Sequence, residues 1–167
     1  MRIPMKTACW SLGFLLATSS VLYAQAKSPQ EMQKSCRNFA QGFYDWYVRQ
    51  LNSGGDYVTA LKYKRSAFSP ELYRLLKAAN EHDVKTGDYF LDFDPILGGQ
   101  DWPKRVVAGK ATIKGDRCWV NKAELMFKGE RWFFVNFHYG KDPKYPMNEN
   151  LLSILKYDFR NQRKNPK

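Results

Sequence analysis

The chain has 167 residues, with 27 Lys and Arg against 16 Asp and Glu, for a formal net charge of +11. That length fits one domain, or a domain with an appendage. Its 11 Gly and 8 Pro exclude a collagen-like or Gly/Pro-rich low-complexity chain, and 44% hydrophobic with 16% aromatic residues supplies a core that disordered chains lack.

Arg2 and Lys6 are the only charged residues before Lys27. An apolar stretch follows them, densest at residues 12–17, and closes on Ala24-Gln25-Ala26. A basic start, an apolar middle and an A-x-A end have the build of a secretory signal, so residues 1–26 are expected to be cleaved. Thr18-Ser19-Ser20 interrupts the run, which leaves it short of the roughly 20 apolar residues of a spanning helix, so no stable membrane anchor is expected after cleavage. The remaining residues 27–167 would form a single domain of 167 − 26 = 141 residues with 27 − 2 = 25 basic and 16 acidic side chains, a net +9. A periplasmic or secreted protein is the expectation. Cys9 would leave with the signal, and Cys36 and Cys118 remain. An even pair in an oxidising compartment favours a disulfide. It would close a loop of about 80 residues, worth about 4 kcal/mol by chain entropy.

Ser28-Pro29-Gln30-Glu31 reads as a capping box with Pro at the first helical position. Met32, Cys36, Phe39, Phe43, Tyr47 and Leu51 then recur at three- and four-residue steps, one stripe of an amphipathic helix, with Tyr44 and Trp46 widening it. Asn52-Ser53-Gly54-Gly55 should end it. Residues 56–65 fit a short helix less firmly. Ser69-Pro70-Glu71 restarts a helix that should fade between His82 and Thr86. Residues 87–104 read as a loop that packs on the domain, since X-Pro steps and Gly98-Gly99 interrupt many apolar residues.

Three strands are expected next: Val106–Ile113, Cys118–Phe127 and Arg131–Tyr139, joined by Lys114-Gly115-Asp116 and Lys128-Gly129-Glu130 into an antiparallel meander. Strict alternation on the third puts Phe133, Val135, Phe137 and Tyr139 on one face and Trp132, Phe134, Asn136 and His138 on the other. Residues 140–146 read as a polar loop and 148–161 as a final helix, with a basic tail that should fray. Helices followed by a meander make an α+β pattern.

In that order of elements the chain resembles the exported bacterial family known as domain of unknown function 3828, of the nuclear transport factor 2-like superfamily. The residues that carry the resemblance are Phe39-Ala40-Gln41-Gly42-Phe43-Tyr44-Asp45-Trp46-Tyr47, Ser69-Pro70-Glu71-Leu72, residues 92–103 from Asp92-Phe93-Asp94-Pro95 to Gln100-Asp101-Trp102-Pro103, and residues 132–139 with Leu151-Leu152-Ser153-Ile154-Leu155 behind them. The resemblance implies a cone-shaped α+β fold, with N-terminal helices packed on a curved antiparallel sheet and an open end that often holds a ligand. The family has no established activity, so no catalytic residue is carried over, and fold alone does not fix function.

Asp92, Asp94 and Asp101 are the densest carboxylates, and Asp-x-Asp on a loop suits acid/base work or a cation. Asp before Pro also starts turns by accepting backbone N–H groups, which is the stronger expectation. His138, near Asn136 and Trp132 on a strand, would orient a ligand or act as a base if its face lined a cavity. The two histidines, His82 and His138, give no zinc spacing, and neither a metal nor a cofactor is expected. Most aromatic residues have core spacing. Trp102 stands apart on a loop, where Trp marks interaction surfaces. Lys62-Tyr63-Lys64-Arg65 and the C-terminal tail hold the clustered positive charge. Export argues against nucleic acid and toward an anionic envelope component as partner.

These readings lead to an exported, non-enzymatic module that binds a protein or small ligand at Asp94, Gln100, Asp101, Trp102 and His138. Two alternatives stand beside it. One is a pocket enzyme of isomerase or hydrolase type using His138 with a loop aspartate. The other is an immunity-like inhibitor of an envelope-active toxin.

Overall fold

The computed structural model describes residues 27–140 and 150–164. The expected signal segment, most of the 140–146 loop and the start of the last helix lie outside the described residues. Among the described residues no helix is long and apolar enough to cross a membrane.

Helix α1 spans Pro29–Leu51 and begins with the expected capping box: the Ser28 hydroxyl accepts from Glu31 N while the Glu31 carboxylate accepts from Ser28 N. Helix α2 covers Tyr57–Tyr63, with Asp56 as its N-cap, and a single 3₁₀ turn at Arg65–Ala67 leads to α3, Pro70–Thr86. Ser69 caps α3, and Gly87 closes it with φ of 76°. Four antiparallel strands follow in sequential order: β1 Thr112–Lys114, β2 Arg117–Val120, β3 Ala123–Lys128 and β4 Arg131–Phe137. Helix α4 runs Leu151–Lys164, so the segment expected to fray from residue 160 stays helical to 164. The α+β class is as the sequence indicates.

The strands differ from expectation in two places. Val106–Ala111 is not a strand, because side chains take the role of a ladder: Gln41 of α1 donates to Val106 O and accepts from Ala108 N, Arg37 donates to Ala108 O, and Asn121 binds Val107 O and Gly109 N. Residues 118–127 form two strands rather than one. Asn121, at φ of 52°, takes the left-handed conformation that asparagine tolerates, and Val120 pairs with Ala123 across a two-residue turn.

Strict alternation on β4 also fails. Glu124 pairs with Asn136 while Leu125 pairs with Phe134, so Val135 is one residue extra, a β-bulge. The bulge moves Phe137 onto the inner face beside Phe134, with ring centroids 5.2 Å apart. Tyr139 follows it inward onto Phe93, while Phe133, Asn136 and His138 face outward.

The inner face of the sheet meets α1. Phe43 stands edge-on to Phe134 at 4.7 Å, and Phe39 and Phe68 lie within 6.0 Å of the same ring. Cys36 and Cys118, both fully buried, form the expected disulfide between α1 and β2. On the outer side, Asn136 binds the start of α4: its Oδ1 accepts from Leu152 N and its amide donates to Asn150.

Trp132 is 3% exposed and donates its indole N–H to Ser35 of α1. Trp132→Ala should therefore cost about 3–5 kcal/mol in urea melts. A loss under about 1 kcal/mol would place the ring outside the core.

Candidate functional site

Residues 88–102 pack on the end of the helical layer, and their geometry turns on Asp94. Its Oδ1 accepts from Ile96 N at 2.9 Å and Leu97 N at 2.8 Å, the turn chemistry expected of Asp before Pro. Its Oδ2 accepts from the Tyr47 hydroxyl, which arrives from the buried stripe of α1. Asp94 and Gly99 pair across the turn, and Gly98 adopts φ of 69°. A Cβ on Gly98 would lie 2.5 Å from the Tyr139 ring, so glycine is needed for both reasons. Tyr139 donates to Pro95 O, and Lys122 from the β2–β3 turn reaches Leu97 O at 2.9 Å. The loop is thus held from α1, from the turn and from the end of β4.

Burial raises the pKa of Asp94 above its ordinary value; the hydrogen bonds from Tyr47, Leu97 and Ile96 oppose this, and the neighbouring Asp56 charge adds to it. Burial, with the Asp94 charge beside it, pushes the Tyr47 and Tyr139 hydroxyls upward, so both stay neutral donors.

The held loop closes one wall of a pocket of about 500 Å³. Asp92, Asp94, Gln100 and Trp102 come from the loop, Asp56 and Tyr57 from the start of α2, and Asn80 and Asp83 from α3. Tyr89 and Phe93 bring the aromatic side chains to four. Asp56, Asp83, Asp92 and Asp94 bring the carboxylates to four, and among the described residues no Lys or Arg lines the space. Trp102 is 44% exposed, as a rim residue should be. The Tyr57 hydroxyl is buried without a hydrogen-bond partner among the described residues. Burial raises its pKa, helped by the Asp83 and Asp56 charges, so it is a neutral group able to meet a ligand. Among the described residues no group of three or more His, Cys, Asp or Glu converges to hold a metal ion.

Three of the five candidate residues, Asp94, Gln100 and Trp102, therefore line one cavity. Asp101 is exposed and does not line it. His138 is separate: the outward turn after the bulge places its Nε2 2.9 Å from Glu124, which also binds Arg117 at 2.9 Å. The structure does not join His138 to a loop aspartate. Sequence reasoning missed Asp56, Tyr57 and Asp83. Asp56 and Asp83 already have local roles, capping α2 and accepting from Phe90 N, which hide any second one.

No protein-family model, curated protein or solved structure matches the chain.

Asp94→Ala would strand the Tyr47 hydroxyl and two backbone N–H groups, an expected loss of about 2–4 kcal/mol, whereas Asp94→Asn keeps an acceptor and should cost under about 1 kcal/mol. Because the folded pKa of Asp94 is raised, its neutral form favours the fold at acid pH. That advantage is lost as pH rises through the folded pKa. Urea melts should show the stability of Asp94→Asn gaining on that of the natural protein as pH rises through this window. A pH-independent difference would contradict the burial of a titrating carboxyl.

Proposed function

We propose that the chain is an exported, non-enzymatic binding module whose pocket takes up a cationic nitrogen group, an amine or guanidinium. The observation that carries this reading is the segregation of charge: among the described residues, four carboxylates and no Lys or Arg line the cavity of a chain with 27 basic side chains. Carboxylates attract a cation, and aromatic faces add a cation–π attraction of about 0.5–2 kcal/mol while covering its apolar part. The carboxylates are spread along the walls without converging on a point. That suits an extended organic cation better than a compact metal ion. The unpaired Tyr57 hydroxyl offers one more acceptor.

The build of residues 1–26 supports export, and an oxidising periplasm or exterior agrees with the Cys36–Cys118 bridge. The same reading takes the fold as a form of the nuclear transport factor 2-like cone. A long N-terminal helix laid on one face of an antiparallel meander supports that assignment, with Phe43, Phe134 and Phe137 filling the interior and the pocket displaced to the loop end.

Calorimetric titration with spermine and trilysine tests the proposal. Both should bind at low salt, and Asp92→Asn combined with Trp102→Ala should weaken binding at least tenfold, since these exposed side chains leave the core intact. Affinity should also fall as pH drops through the raised pKa of Asp94, because the neutral carboxyl no longer attracts a cation. Absence of heat with both probes, or undiminished binding by the double variant, would refute the assignment.

A further inference from the structure

The molecule carries a second concave region of contrasting chemistry. A cleft of about 900 Å³ lies on the outer face of the sheet, floored by Met126, Phe133, Val135 and Leu152. A neighbouring cleft of about 720 Å³ is bordered by Lys62, Arg65, Arg74 and Lys77. Pro70, Arg131 and Phe133 line both, so the two form one groove, with an apolar floor between charges of both signs at one end and a cationic border at the other.

Charge along the groove is not balanced internally. At the apolar end Glu71 pairs with Lys156 at 2.7 Å, and Glu124 is held by Arg117 and His138, so both carboxylates are compensated. At the cationic end no Asp or Glu lines the space among the described residues. Lys62, Arg74 and Arg131 have no ion-pair partner among the described residues. Arg131 also faces Lys128 directly across the β3–β4 ladder. Like charges so placed destabilise a hairpin, which makes an external anion the natural complement.

The groove floor discriminates between anionic partners. A sheet face presents side chains, and at the free edge of β4 the carbonyl of Phe134 is already taken by Ser69 N at 2.8 Å. The apolar floor residues Met126, Phe133, Val135 and Leu152 offer the amide groups of a peptide no hydrogen bond. A hydrocarbon chain brings no such groups and gains by leaving water. Arg side chains match the oxygen geometry of phosphate and carboxylate.

We propose that this outer groove binds a single-chain anionic amphiphile, with its phosphate or carboxylate head at Arg74 and Arg131 and its acyl chain along Phe133, Met126 and Leu152. The site is independent of the acidic pocket. The test is calorimetry with lauroyl lysophosphatidylglycerol and dodecanoate, both below their micelle concentrations, on the natural chain and on Arg74→Glu/Arg131→Glu. Both substituted positions are exposed, so the fold should persist. The proposal expects saturable 1:1 binding of one or both monomers, at least a tenfold loss in the double variant, and a similar loss in Phe133→Ser. Asp92→Asn should leave binding unchanged. Binding of the lysolipid alone would indicate a phosphate head derived from membrane lipid, and binding of dodecanoate a free fatty acid. Equal affinity for zwitterionic lauroyl lysophosphatidylcholine would overturn the proposal. So would equal affinity for hexaglutamate, or binding to phosphatidylglycerol vesicles without binding to either monomer.

Discussion

Phe134 is fully buried where α1, the segment before α3 and the sheet converge, with the rings of Phe39, Phe43, Tyr44, Phe68 and Phe137 all within 6.4 Å of its own. Aromatic pairs in edge-on and offset arrangements add about 0.5–1.5 kcal/mol each beyond the area they bury. More consequential is what this contact fixes. It sets α1 against β4, and the Cys36–Cys118 bridge sets the same helix against β2. With α1 so fixed, Tyr47 and Gln41 can act on distant segments, one on the loop at Asp94 and the other on residues 106–108.

Asp94 passes that rigidity to the surface. A carboxyl so buried is costly unless its oxygens are satisfied, and here three donors from two segments meet it. The loop is consequently a structured wall although it contains no helix or strand beyond a single bridge. A rigid wall explains how Trp102 can stand partly exposed at a rim and how Asp92 can face a cavity. Binding groups on such a support lose little conformational freedom when a ligand arrives.

Much of this architecture was legible in the sequence because the signals are local. The capping box at Ser28, the stripe from Cys36 to Leu51 and the Ser69-Pro70 start each depend on neighbours within a turn or two. The disulfide was legible because reading residues 1–26 as a cleaved signal leaves Cys36 and Cys118 to pair. The missed features are those where side chains replace backbone partners. Gln41 and Asn121 hold residues 106–109 out of the sheet, and no periodicity encodes that. The bulge at Val135 inverts the inward and outward positions that follow it, which removed His138 from the site and delivered Phe137 and Tyr139 to the interior. Asp94, Gln100 and Trp102 stand out as candidates in the sequence because their loop is compositionally unusual, and they line one cavity. Asp56 and Asp83 join them only through the packing of α2 and α3.

The charge excess from which the sequence reading started acquires a spatial order. Basic side chains cluster around the outer groove, while four carboxylates gather in a pocket that no Lys or Arg lines among the described residues. The proposed cation site in this pocket depends on the Asp94–Tyr47 contact. A crystal structure of the protein grown with trilysine tests it most directly. The expected result is an ammonium group beside Asp92 or Asp83, with its methylene chain against Trp102. A ligand bound elsewhere, with the pocket filled by its own side chains, would contradict it.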